Sequence, residues 1–153
     1  MLKIYSVSLG CPKNRVDTEH LLGSLGMAVR PVEHMGRADV VLINTCGFIQ
    51  PAVEESVRVV LDAIQRLQGL KRRPLLAVAG CMVGRYGAAE LAAELPEVDL
   101  WLPNQQIDRW PALLAQRLGL SSPAPGRLLS TGPSYAWLKI SDGCRHACSF
   151  CTI

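Results

Sequence analysis

Asp39-Val40-Val41-Leu42-Ile43-Asn44-Thr45-Cys46-Gly47 decides how this chain folds. Val40 to Ile43 is continuously apolar, and three of its four residues are β-branched, which favours a strand. It shows no alternation of apolar and polar residues, so both faces need cover, as in a parallel sheet. The way it ends, at a cysteine with glycine beside it, occurs twice more. Pro74-Leu75-Leu76-Ala77-Val78-Ala79 runs into Gly80-Cys81, and the β-rich run Lys3 to Leu9 ends in Gly10-Cys11-Pro12.

Helical patterns fill the intervals. Asn14 to Leu25 has Asn14 as its cap, Asp17 and Glu19 in its first turns, and Gly26 as its stop. Its Val16, Leu21, Leu22 and Leu25 share a face. A second helix, from about Pro51 to Leu67, carries Val53, Val57, Val60, Leu61, Ile64 and Leu67 at helical spacing, with Pro51 at its first position. Two more are expected from about Arg85 to Leu95 and from Ile107 to Leu118, the latter closed by Gly119. Short strands are expected at Ala28 to Val32 and Val98 to Leu102. Strands alternating with helices predict an α/β domain over residues 1–120, an open, mainly parallel sheet with helices on both faces.

Ser121-Ser122-Pro123-Ala124-Pro125-Gly126 breaks the rhythm and opens a linker over residues 121–134. The run Tyr135 to Ile140 reads as a strand that delivers Gly143-Cys144-Arg145-His146-Ala147-Cys148-Ser149-Phe150-Cys151. Residues 135–153 are too short to fold alone and look like the opening strand and loop of a second domain. The chain is therefore expected to be a piece of a longer protein.

Apolar residues make up 49% of the 153 residues and charged residues 19%, the balance of a globular domain. The net charge of +3 calls for neither nucleic acid nor a membrane. The one basic run, Lys71-Arg72-Arg73, reads as a solvated loop. No apolar stretch reaches the roughly 20 residues of a membrane span, and the amino terminus is too short and strand-like for a signal peptide. A cytoplasmic protein is expected, and there six cysteines are better suited to metal or catalysis than to disulfides.

Cys11, Cys46 and Cys81 lie 35 residues apart in each case, about one strand–helix unit. Successive parallel strands point the same way, so topology alone should bring all three to the carboxyl rim of the sheet, where ligands bind in such folds. Gly10, Gly47 and Gly80 beside them permit sharp turns and close backbone approach. Three thiolates on a rim can hold a four-iron cluster with one iron open, and so can Cys144, Cys148 and Cys151 on one loop. Small buried cysteines at strand ends would look the same singly. Zinc would need a fourth ligand from His20, His34 or elsewhere. His20, His34 and His146 read as solvated or structural, and the residues offer no identifiable catalytic acid or base.

Cys144-x-x-x-Cys148-x-x-Cys151, with Phe150 before the last cysteine, resembles the signature of radical S-adenosylmethionine enzymes. Together with Cys11, Cys46 and Cys81 the chain resembles the methylthiotransferases of that superfamily along nearly its whole length. The resemblance implies two 4Fe–4S clusters. The one on Cys144, Cys148 and Cys151 would bind S-adenosylmethionine and start radical chemistry within a partial β/α barrel, and the one on Cys11, Cys46 and Cys81 would present sulfur. Ser8-Leu9-Gly10-Cys11-Pro12-Lys13-Asn14, Val16-Asp17-Thr18-Glu19, Ile43 to Ile49 and Gly80 to Tyr86 are similar to the branch that methylthiolates the β-carbon of an aspartate in a small-subunit ribosomal protein. The tRNA-modifying branch tends to have Gln-Met-Asn where this chain has Pro12-Lys13-Asn14. The family also implies an electron donor such as flavodoxin or ferredoxin, and a sulfur donor. A tRNA adenosine methylthiotransferase and a non-catalytic zinc or Fe–S electron-transfer module stand as the alternatives. The barrel and the small carboxyl-terminal β domain of the family are missing, so these 153 residues alone are expected to be inactive.

Overall fold

Four apolar residues in a row need apolar cover on both sides, and the computed structural model, which describes residues 1–121 and 123–151, supplies it. Strand β3 (Val40–Thr45) is buried along its whole length. It lies between β1 (Leu2–Ser8) and β4 (Leu75–Gly80), with β2 (Val29–Pro31) and β5 (Leu100–Pro103) at the edges. All pairings are parallel, in the order β2-β1-β3-β4-β5. The expected α/β fold is thus what residues 2–118 form.

Successive residues of β3 point to opposite faces, and each face has its own core. Val40 and Leu42 pack with Leu21, Leu22 and Leu25 of α1 (Pro12–Leu25) and with Trp110 and Leu114 of α5 (Trp110–Leu118). Val41 and Ile43 pack with Val60, Ala63, Ile64 and Leu67 of α2 (Gln50–Gln68), and with Met82 and Val83. The chain steps one way from β1 to β2 and the other way from β3 to β5. Right-handed crossovers then put α1 and α2 on opposite faces. Because Ile43 is fully buried, Ile43→Val should lower stability by about 1 kcal/mol in urea unfolding without changing the slope.

Several local expectations need correction. Asn14 does not cap α1, which starts at Pro12 after Cys11; Asn14 is buried and serves the rim. The stripe on α2 is narrower than its apolar residues suggest, since Val57 and Leu61 are exposed and Ser56 is buried in their stead. One helix from Arg85 to Leu95 is in fact two, α3 (Cys81–Tyr86) and α4 (Ala88–Glu94), separated by Gly87 at φ 85°. A 3-10 turn, Asn104–Arg109, precedes α5. Arg72 and Arg73 of the basic loop are paired with Asp39 and Asp99, which lie just before β3 and β5.

Residues 135–140, read as a strand, pair with nothing in a sheet, and no helix or strand occurs among the described residues 123–151. The expected strand is therefore absent: a strand is completed only by a partner, and among the described residues none pairs with this run. Ser122, Thr152 and Ile153, which belong to the expected linker and second domain, lie outside the described residues. No described helix is long and apolar enough to cross a membrane.

Candidate metal centre at the carboxyl rim

β1, β3 and β4 are neighbours in the sheet and end side by side, with Ser8 opposite Asn44, Asn44 opposite Ala79, and Thr45 opposite Gly80. Cys46 and Cys81 follow the ends of β3 and β4 directly, and Cys11 follows β1 after Leu9 and Gly10. The gap between β1 and β3 is where the sheet order reverses, the crevice at which such folds take ligands. Topology therefore puts the three cysteines on one edge of the sheet, the placement that the spacing predicts. Cys11 is exposed, Cys46 is 8% exposed and Cys81 is half-buried. Burial pushes the Cys81 thiol above its ordinary range, and charge on Cys46 and Cys11 adds to the effect.

Two glycines let the three loops close on one another. Gly10 has φ 78°, and a Cβ there would lie 2.7 Å from the Cys46 sulfur. A Cβ on Gly47 would lie 2.7 Å from the backbone nitrogen of Met82, beside Cys81. Gly10→Ala should then cost about 1–3 kcal/mol, from a left-handed backbone made to carry a side chain as well as from the clash. Thermal unfolding of the two proteins side by side would show it.

Polar side chains fix the rim. The Asn14 amide nitrogen donates to Leu9 O at 2.9 Å and to Thr45 O at 3.0 Å, bridging the loops of Cys11 and Cys46. Its Oδ1 accepts from the Cys81 thiol at 3.9 Å. The Asn44 amide donates to Asn14 O at 2.8 Å and to Thr18 Oγ1 at 3.1 Å. Ser56 brackets the backbone of Cys46: it accepts from the amide at 3.1 Å and donates to the carbonyl at 2.9 Å. Arg85 donates to Gly47 O at 2.7 Å. Sequence reading missed these roles, although a serine on the apolar face of α2 was a visible signal.

Cys144, Cys148 and Cys151 are all exposed. The Cys151 amide donates to Cys148 O at 3.1 Å, and the His146 amide to Cys144 Sγ at 3.5 Å. The segment before them is tied to α1. Glu19 receives Arg127 and Ser130, and Lys139 lies 2.8 Å from both Asp17 and Asp142. Through Lys139 the base of the second cysteine loop, at Asp142, is tied to Asp17 in α1, the helix that follows Cys11. His20 and His34 are exposed.

Three soft sulfur donors on loops at neighbouring strand ends are of the chemistry that suits an iron–sulfur cluster with three protein ligands. Among the described residues, no three or more His, Cys, Asp or Glu side chains are gathered for a single metal ion.

A family model described as "Uncharacterized protein family UPF0004" matches residues 3–103. The chain is also similar to proteins named "Ribosomal protein uS12 methylthiotransferase RimO". That of Nitratidesulfovibrio vulgaris is 77% identical over 154 residues, covering 100% of this chain and 36% of the relative. That of Oleidesulfovibrio alaskensis is 68% identical with the same coverage, 100% and 36%. That of Lawsonia intracellularis is 51% identical, over 99% of this chain and 35% of its own length. The chain thus spans little more than a third of these relatives.

Proposed function

Since the chain belongs to the UPF0004 family, we propose that it is the amino-terminal part of a radical S-adenosylmethionine methylthiotransferase acting on an aspartate β-carbon of ribosomal protein uS12. The observation that supports this reading is the placement of Cys11, Cys46 and Cys81 after three adjoining strand ends, in a chain 77% identical to a protein of that name. These three cysteines would hold one 4Fe–4S cluster, and Cys144, Cys148 and Cys151 would hold the other together with S-adenosylmethionine. When bound, these groups supply the one-electron and sulfur chemistry that no side chain can. An electron donor such as flavodoxin or ferredoxin, a sulfur donor, and a cytoplasmic setting go with this reading.

The chain's own part is placement. Residues 1–120 form the first domain, 121–134 the linker, and 135–153 the start of the radical domain. The bonds of Arg127 and Ser130 to Glu19, and of Lys139 to Asp17, tie this segment to α1 and would keep both cysteine sets near one substrate. The buried position of Cys46 shields that ligand from water, while exposed Cys11 leaves the rim open to a substrate.

The test is anaerobic reconstitution of the full-length protein with iron and sulfide, followed by incubation with uS12 and, separately, with tRNA. Two clusters and a methylthio group on the uS12 aspartate, read by mass spectrometry, are expected. Modification of tRNA with uS12 untouched would overturn the substrate. A preparation that takes up zinc and no cluster would overturn the chemistry.

A further inference from the structure

We infer that Asn14 is the positioning residue of the three-cysteine rim, a role that rests on the proposed cluster site and goes beyond naming its ligands. Cys11, Cys46 and Cys81 sit on separate loops; past Ser8 the main chain adds one bond, from the Leu9 amide to Asn44 O at 2.9 Å, and Ser56 holds Cys46 to α2, but neither joins the Cys46 loop to that of Cys11. Asn14 does so from the first turn of α1. Its amide nitrogen holds Leu9 O, two residues before Cys11, and Thr45 O, one residue before Cys46. Both donors of the amide are used on carbonyls, so the group cannot be turned over without setting Oδ1 against two carbonyl oxygens. Oδ1 is thereby left facing Cys81.

The main chain of Asn14 is held as well. Its amide donates to Cys11 O at 3.1 Å, and its carbonyl accepts from Asn44 and Thr18. Thr18 in turn accepts from Ser8 Oγ at 2.8 Å. The residue is 3% exposed, so it touches no solvent that could replace these bonds. One side chain thus sets the position of two ligands and faces the third. It acts through the cysteines and would not touch substrate.

The test uses Asn14→Ala and Asn14→Asp in the full-length protein. Asn14→Asp keeps the shape but replaces two donors with an acceptor, and Asn14→Ala serves if the aspartate variant fails to fold. In iron-free protein, alkylation of each cysteine by iodoacetamide is followed by mass spectrometry. Cys46 should label about tenfold faster in Asn14→Ala, the factor given by the net loss of one buried hydrogen bond, while Cys144, Cys148 and Cys151 keep their rates. After anaerobic reconstitution the variant should hold the iron and sulfide of one cluster and still cleave S-adenosylmethionine. Unchanged labelling of Cys46 would overturn the inference. So would a uniform rise at all six cysteines together with a lower melting temperature, which would make Asn14 a general scaffold residue. If the wild-type protein takes up no cluster but Cys46 is unmasked selectively, the cluster reading fails and the positioning role stands.

Discussion

Full-length protein carrying Cys46→Ala should lose methylthio transfer while still cleaving S-adenosylmethionine. The two cysteine sets lie on different parts of the chain. Cys46 follows β3 inside the first domain, and Cys144, Cys148 and Cys151 are on a loop beyond the linker, in no sheet or helix with it. Removing Cys46 leaves Cys11 and Cys81 on the rim, too few to hold a four-iron cluster that already leaves one iron open. Outer partners of metal ligands alone matter by about 10–100-fold in affinity or activity, so loss of a ligand should cost transfer at least about a hundredfold. The fold should survive, because the strand ends on either side of Cys46 are held by ladder bonds and by Asn14 and Ser56. The measurement is uS12 modification and 5′-deoxyadenosine formation in the same reaction. If both fall together, with the iron of both clusters lost, the division of labour between the cysteine sets is wrong.

The rim was legible because it follows from periodicity. Unbroken apolar runs predict buried parallel strands, and parallel strands carry whatever follows them to the same edge. Cys11, Cys46 and Cys81 needed no knowledge of contacts. Asn14 was harder to read, since an asparagine three residues after Cys11 and just before an apolar-periodic segment satisfies the pattern of a helix cap. The helix begins two residues earlier because Pro12 fits its first turn, and this moves Asn14 inward to where it can bridge loops far apart in sequence. Tyr135 to Ile140 failed for the opposite reason. Its composition suits a strand, but a strand is completed only by a partner, and among the described residues none pairs with it. Glu19 was read as a first-turn acid, and its partner lies 108 residues away at Arg127, beyond any local pattern.

That pair supplies the second large expected effect. Glu19 is 1% exposed and its carboxylate takes four bonds: from Arg127 Nε at 2.9 Å and Nη2 at 2.7 Å, and from the Ser130 amide at 2.8 Å and hydroxyl at 2.6 Å. Arg127→Ala would leave a buried carboxylate without its cation, a loss of about 3–5 kcal/mol where nothing can relax. Here the segment 127–130 can lift from α1 and let water reach Glu19, so the cost should appear as detachment of that segment before it appears as global unfolding. At about 3 kcal/mol, the Leu128 and Ser130 amides, which bond Glu19 in the intact protein, should exchange hydrogen roughly a hundredfold faster. The pH dependence gives the sign. Burial alone would raise the Glu19 carboxyl, but the bonds from Ser130 and Arg127 outweigh it and hold it below its usual 4.5. The stabilisation is therefore complete above 4.5 and is lost as pH falls through the lowered folded value. In Arg127→Ala the lowering by Arg127 is lost and the carboxyl should move back up toward its usual 4.5, so acid weakens the variant less than it weakens the wild type. Protection of the two amides should accordingly differ most near neutral pH and converge as the carboxylate is protonated; a difference that stayed constant into acid would mean that Arg127 holds the segment by packing and not by its charge.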